Sequence, residues 1–508
     1  MSKRFTYWNS FASVNPYFVS TWDTTQAGSA SDTIILPMTA GETVDWGDGT
    51  VNTLNTHTYA VGGVYTITIQ GGVNTFRFAN GGDKKKIISI DNWGNFDVSN
   101  SQIFFGCSNL ATITAIDNPI VSATDLSYTF YNCTIFDGNV NGWDISNVTD
   151  IGGFFAGCIN FNQPLNNWDT SNVTSFKSSF YSTFRDCFKF NQDLGNWDFS
   201  SATALTSLFF DCRAFNNGGS DSIKDWDVSG IADLQEVFEG CDLFNQPLTN
   251  WDTSSATQIQ SMFKDCKVFN QPVNHFDVSN ITNMFQMFAG AFVFNQPLDT
   301  WDTSGVTYMF QMFSGALVFN QNLGDWDVSS VTDMSSMFES ATAFNNGSSD
   351  SIKDWDTSSV QKFGLGFRGM FRGATSFNRP VGGWDLSSCT NLDAMFESTD
   401  YNQDLTTWNT SNVTSMTRLF RSNDTFDQDI SGWDINQVTV FTNFMLFADG
   451  FSTTNYDAIL IGWEAQAPNY GEAVNFGGST YTLGGAAEAA RTSLINTYGW
   501  TITDGGGI

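Results

Sequence analysis

Phe319–Asn345 reads FNQNLGDWDVSSVTDMSSMFESATAFN, and this stretch decides how the rest of the chain is read. Asn322–Asp327 is short and alternates apolar with polar residues, as a strand does. Asp327 and Ser329 suit a turn, because their side chains bond nearby backbone N–H groups. Thr332 and Asp333 suit a helix N-cap, and Met334, Met337 and Phe338 then follow at i, i+3 and i+4, which predicts a short helix. Working outward, Trp-Asp or a close variant recurs at Phe96, Trp143, Trp168, Trp197, Trp226, Trp251, Phe276, Trp301, Trp326, Trp355, Trp384, Trp408 and Trp433. Asn118-Pro119 fills a gap as a degenerate copy, and from there the spacings are 25, 25, 29, 29, 25, 25, 25, 25, 29, 29, 24 and 25. A unit this small cannot bury its own apolar face, so copies are expected to stack about 4.8 Å apart, each position forming a column.

Those columns have distinct chemistry. Phe161, Phe190, Phe215, Phe244, Phe269, Phe294, Phe319 and Phe344 share one register, and an Asn follows each of them. Stacked amides can satisfy turn backbone groups that would otherwise be buried without partners. Cys107, Cys133, Cys158, Cys187, Cys212, Cys241 and Cys266 share another register, which Ala291, Ala316, Ala341 and Ala374 continue. Exchange of Cys for Ala asks for a small buried apolar group, so free thiols are expected. The Trp column invites a sugar-stacking role, but Phe96 and Phe276 replace the indole, which favours core volume.

The whole chain has 508 residues, 52 acidic against 21 basic, and a formal net charge of −31. Aromatic residues make up 15%, with 48 Phe, which excludes a disordered acidic tail. The negative excess disfavours nucleic acid and anionic membrane surfaces as partners. No apolar run is long enough to span a bilayer, so membrane insertion is not expected. Two histidines, His57 and His275, leave little for acid–base chemistry, and no nucleophile elbow, phosphate loop or HExxH is present, so no enzyme is expected. The Asp column (Asp144 through Asp434) offers calcium some oxygens. A hard cation takes about six to eight and adjacent copies offer few, so turn capping is the expectation, no metal or other cofactor is assigned, and calcium is the alternative.

The unit FNQPLxxWDTSNVTxMxxMFxGCxxFNQ resembles the bacterial surface protein 26-residue repeat, the BspA-like branch of leucine-rich repeats. That resemblance implies an α+β right-handed leucine-rich-repeat solenoid of about 13–14 rungs over residues 91–450. Upstream, Trp46-Gly47-Asp48-Gly49, His57-Thr58-Tyr59 and Tyr65–Ile69 resemble a PKD-type module, implying an all-β PKD/Ig-like sandwich over 31–90. Residues 451–508 read as helix, loop, helix and strand, a C-terminal cap, and 1–30 as an N-terminal attachment segment. The resemblance implies a non-enzymatic, surface-displayed binding role. With the start MSKRFTYWNSF lacking a secretory pattern, the expectation is a phage virion component: a tail fibre, head fibre or decoration protein. Its partners would be other virion proteins through the N-terminal region and a host surface glycan or protein. A bacterial cell-surface adhesin is the alternative.

Departures from the period nominate the binding residues, because insertions in repeat arrays map to surface loops. Asn216–Asp227 and Asn345–Asp356 are nearly identical longer loops, nominating Ser220, Asp221, Ser349 and Asp350. Ser175–Phe184 and Lys362–Phe371 add aromatic and cationic residues on the other side of the unit, nominating Phe180, Tyr181, Phe367 and Arg368.

Overall fold

The computed structural model describes residues 15–179, 181–466, 468 and 471–508, and these form two units, Met1–Asp198 and Phe199–Ile508. In the first unit, alternating burial makes strands of Phe18–Asp23 (β1) and Val64–Gln70 (β6), paired antiparallel. Thr43–Asp45 (β3) and Val51–Asn52 (β4) form a hairpin around Asp48-Gly49, where Trp46 N donates to Thr50 O at 3.0 Å. Ile87–Asn92 (β7) pairs with β1, and Thr112–Ile113 (β9) adds in parallel, giving a six-stranded sheet ordered β4-β3-β6-β1-β7-β9. Thr33–Ile35 (β2) pairs only with Thr56–Thr58 (β5), and Asp97–Val98 (β8) only with Ile120–Val121 (β10).

A buried lysine pins this region. Lys86 is fully buried, and its ammonium donates to Ala30 O (2.8 Å), Thr33 O (2.7 Å), Ser29 O (3.2 Å) and Ser29 Oγ (3.0 Å). Asp83, 1% exposed, accepts from the Ser29 and Ile35 N–H groups, both at 2.6 Å. A charge can stay buried when its bonding capacity is met in this way.

The repeats overturn the predicted α+β leucine-rich-repeat solenoid. Among the described residues only Thr453–Glu464 (α1) and Ala486–Asn496 (α2) are α-helical, and both follow the repeats. Met334, Met337 and Phe338 are fully buried, yet on a succession of turns. The reason is where the N–H groups go. Met284, Gln286, Phe288 and Gly290 donate to Tyr308, Phe310, Met312 and Ser314 of the next copy, while Met287, Ala289 and Ala291 close i→i−3 turns. A helix would send them all to i−4. Gln286, Gln311 and Ser336 also take φ of 53°, 57° and 56°, which no right-handed helix tolerates. The expected strand Asn322–Asp327 is coil around a turn, and pairing between copies falls instead at the expected helix cap, as single-residue parallel bridges such as Asn283↔Tyr308, Tyr308↔Asp333 and Asp333↔Lys362. Nor do residues 31–90 make a PKD/Ig-like sandwich. Their longest strand, β6, lies in one sheet with β1 and β9 from outside that range and with β7, which runs past its end, leaving only the β2–β5 pair apart.

The columns hold the copies together. In the second unit Phe244, Phe269, Phe294 and Phe319 stack at 5.8–5.9 Å with planes within 11°, interleaved with Phe238, Phe263, Phe288 and Phe313 at 5.6–6.0 Å. Such pairs contribute about 0.5–1.5 kcal/mol each beyond area burial. Beside them each Asn Oδ1 accepts the next Asn N–H: Asn245 from Asn270, Asn270 from Asn295 and Asn295 from Asn320, all at 2.9 Å.

Indoles bond as well as fill. Trp251, Trp301 and Trp326 donate Nε1–H to Ile223 O (2.9 Å), Val273 O (3.1 Å) and Leu298 O (3.0 Å) of the preceding copy. Phe276 lacks that donor, and His275 Nε2 takes its place, 2.9 Å from Leu248 O. The Phe replacement is thus compensated by its neighbour, so the column is not a matter of volume alone. All eight cysteines are free and buried; Cys241 and Cys266 Sγ bond Phe209 O and Phe238 O, and burial pushes both thiols well above their ordinary value.

After the repeats, Ser452 caps α1 by accepting from Asn455 N. Tyr456, Ile459, Leu460 and Trp463 form its buried face. Ala473–Asn475 (β15) pairs with Thr501–Thr503 (β17), and Thr480–Tyr481 (β16) with Gly506–Gly507 (β18), both in parallel. Arg491 and the Tyr456 hydroxyl, each 2.7 Å from Asp504 Oδ2, close the end.

Candidate binding surface

In the first unit the insertion Ser175–Phe184 folds as a hairpin, Lys177–Ser178 (β11) against Tyr181–Ser182 (β12). Gly153 beneath it makes room: its φ is 67°, and a Cβ there would meet the Tyr128 ring at 2.8 Å. The hairpin brings Tyr181 to 4.6 Å from Tyr131, which lies 4.7 Å from Phe105 and 5.5 Å from Tyr128. Tyr128 Oη donates to Ser178 O at 2.5 Å. All four rings are half-buried. Burial, then the bond with the Tyr181 hydroxyl, pushes the Tyr131 phenol well above its ordinary value. Aromatic faces edged by hydroxyl groups suit stacking on an amphipathic ring. Phe180 lies outside the described residues.

In the second unit Lys362–Phe371 folds likewise, Gly364–Leu365 (β13) against Arg368–Gly369 (β14). A Cβ on Gly369 would collide with the Ala394 carbonyl, so glycine is what lets the hairpin lie on the next copy. Phe367 projects from its tip, 61% exposed, with the Arg418 guanidinium 4.0 Å from its ring centroid. Arg368 reaches the other way, 5.4 Å over Phe310, whose ring neighbours Phe285 and Tyr308. Below the hairpin runs a column of alternating charge, Glu339, Arg372, Glu397 and Arg421. Its N···O separations are 2.5 Å, 3.3 Å and 2.5 Å in turn. Burial opposes the Arg372 charge, but Glu339 and Glu397 hold the guanidinium above its ordinary value.

With this geometry in hand, one comparison decides the family. The model of a repeat family described as "Mycoplasma protein of unknown function, DUF285" matches residues 98–222, 218–309, 273–369, 293–396 and 346–458, well over half the chain. The chain belongs to the DUF285 family. These repeats are related to the BspA-like 26-residue repeats that the sequence resembles. No curated protein and no solved structure matches the chain.

The other nominated residues sit in the two longer loops between DUF285 repeats, which fold as 3-10 turns. Ser220 accepts from Ser222 N, and Asp221 pairs with Lys224 at 2.6 Å. Ser349 accepts from Ser351 N, and Asp350 pairs with Arg379 at 3.1 Å. The first three bond within their own loops, and Asp350 ties its loop to the next copy. Asp144 and Asp169 each accept the N–H and hydroxyl of the serine two residues on, which lowers their carboxyls. Among the described residues no group of three or more His, Cys, Asp or Glu is placed to hold a metal ion, and no helix is long and apolar enough to cross a membrane. His57 bonds Asp48 at 2.8 Å and stacks on Trp46, bracing the β3–β4 turn.

Tyr128, Tyr131, Arg418, Arg421 and Phe447 were missed by attending only to insertions. Their signal was a break within a column: Arg418 stands where DUF285 copies nearby carry Gln286, Gln311 and Ser336.

Proposed function

We propose that this DUF285 protein is a non-enzymatic attachment protein whose insertion hairpins contact a surface glycan or protein. The supporting observation is that each hairpin sets an aromatic ring against a side chain of another copy at the surface, Tyr181 against the Tyr131 ring in one unit and Phe367 against the Arg418 guanidinium in the other. Most repeat positions instead face inward or bond the next copy. Repeated modest contacts of this kind gain strength by avidity.

Two settings suit such a protein: a phage virion component (tail fibre, head fibre or decoration protein) joined to other virion proteins through its N-terminal region, or a bacterial cell-surface adhesin. The family's description as a Mycoplasma protein favours the second. Mass spectrometry of purified virions and of cell-surface fractions separates them; absence from virions ends the first, and absence from cell surfaces ends the second. A glycan-array screen of the full chain tests the binding role. Selective retention of glycans is expected, and turnover of a retained glycan would contradict a non-enzymatic protein.

A further inference from the structure

We propose that the second hairpin and the two copies after it form a site for a carboxylate-bearing saccharide; this rests on the attachment reading above. In a chain of net charge −31 the arginines here are anomalous. Arg372, Arg418 and Arg421 all turn to one carboxylate, Glu397, whose side chain is 1% exposed, at 3.3, 3.7 and 2.5 Å. Arg372 has Glu339 as a second partner. Arg418 and Arg421 do not share it, and the Nε of each is buried with no acceptor among the described residues. Asp393, the other buried carboxylate nearby, is engaged by Ser415 Oγ and by the Thr417 and Gly366 N–H groups.

The charge column alone would need Arg372 between its two glutamates and Arg421 at its end. It does not need Arg418, nor two large aromatic rings held in water. Phe367 is 61% exposed over Arg418, and Phe447 is 59% exposed with Arg421 5.4 Å from its ring centroid. Arg418 and Arg421 keep 23% and 26% of their side chains exposed, so both can still be reached from solvent. Guanidiniums that stay partly exposed recognise a planar carboxylate through their solvent-facing N–H groups, and an exposed ring beside each offers a face to the C–H side of a pyranose. Extended polyanions such as nucleic acid would meet the acidic remainder of the chain, which leaves an acidic sugar in a short glycan as the ligand.

Calorimetric titration of the full chain with a hyaluronan hexasaccharide, an oligogalacturonate and a sialyllactose tests this, with a chitin hexasaccharide as neutral control and inorganic sulfate as bare anion. At least one acidic sugar is expected to bind, with affinity falling as salt rises. Affinity should fall by about tenfold or more in Arg418→Gln and in Phe367→Ala. Both variants leave the Glu339–Arg372–Glu397–Arg421 column in place, so each should fold, as circular dichroism would check. Binding of no acidic sugar at millimolar concentration, equal binding of the chitin hexasaccharide, full competition by sulfate at equal concentration, or unchanged affinity in folded variants would each overturn the proposal. If the acidic panel fails while neutral glycans are still retained through the hairpins, this site falls and the attachment reading stands.

Discussion

His275 carries the sharpest structural prediction. In the surrounding copies the indole at this column donates to the carbonyl of the preceding copy, and where Phe276 stands the imidazole supplies that bond at 2.9 Å to Leu248 O. Indole stacking pauses there as well: Trp226–Trp251 stack at 6.1 Å and Trp301–Trp326 at 6.2 Å, with Phe276 between. His275→Ala therefore removes that donor, together with an edge contact on the Phe276 ring at 5.0 Å. A single such bond is worth about 1 kcal/mol net. Phe276→Trp in the His275→Ala background returns the donor from the column's usual atom and should recover that loss. Long arrays need not unfold in one step, so the readout should be local: amide hydrogen exchange over residues 248–301. There about 1 kcal/mol corresponds to roughly fivefold faster exchange. Faster exchange in His275→Ala, restored in the double variant, is expected. Equal exchange in wild type and His275→Ala, or a double variant slower to protect than the single one, would refute the compensation.

Three further outcomes follow from the same structure. Because all eight cysteines are buried and free, a thiol reagent should label essentially none in the native protein and all of them after denaturation; rapid native labelling would contradict the column. Lys86→Met takes one donor from each of the Ser29, Ala30 and Thr33 carbonyls, of which Ala30 O keeps Thr33 N–H and Thr33 O keeps Ser29 Oγ, and should destabilise the first unit by about 1–3 kcal/mol in urea titration, an account that an unchanged midpoint would sink. The lowered carboxyls of Asp144, Asp169, Asp227 and Asp252, held down by the hydroxyl and N–H of the serine two residues on, favour folding above the ordinary value of 3.8. That contribution is lost as pH falls through their depressed folded values. Asn409 already caps its turn as an amide, accepting from Ser411 N, so Asp→Asn at these positions should keep the turns, remove this ionisation-linked contribution at neutral pH and flatten the acid limb of a thermal melt.

Register was legible in the sequence, and local conformation was not. The Phe and Asn columns show themselves because each member must meet its counterpart in the next copy, which fixes the period. The Met334–Met337–Phe338 spacing misleads, because a coil of turns buries the same i, i+3, i+4 set while sending alternate N–H groups to the neighbouring copy. The Trp column misled for another reason. Phe276 looks like proof that only volume matters until His275 is seen to carry the missing hydrogen bond. Insertions pointed to Tyr181, Phe367 and Arg368, but their partners Tyr131 and Arg418 lie in repeats of ordinary length. Only the fold brings residues 50 positions apart, such as Tyr131 and Tyr181, to 4.6 Å.

The central claim is that the two hairpins make the contacts with a surface. Its most direct test is adsorption of the full chain to intact host cells, comparing wild type with Tyr181→Ala combined with Phe367→Ala. Both side chains sit at hairpin positions with partial or high exposure, so the fold and its melting temperature should be kept. Adsorption by wild type and its loss in the folded double variant is the predicted result. Equal adsorption of the two proteins would place the contact elsewhere and contradict the account.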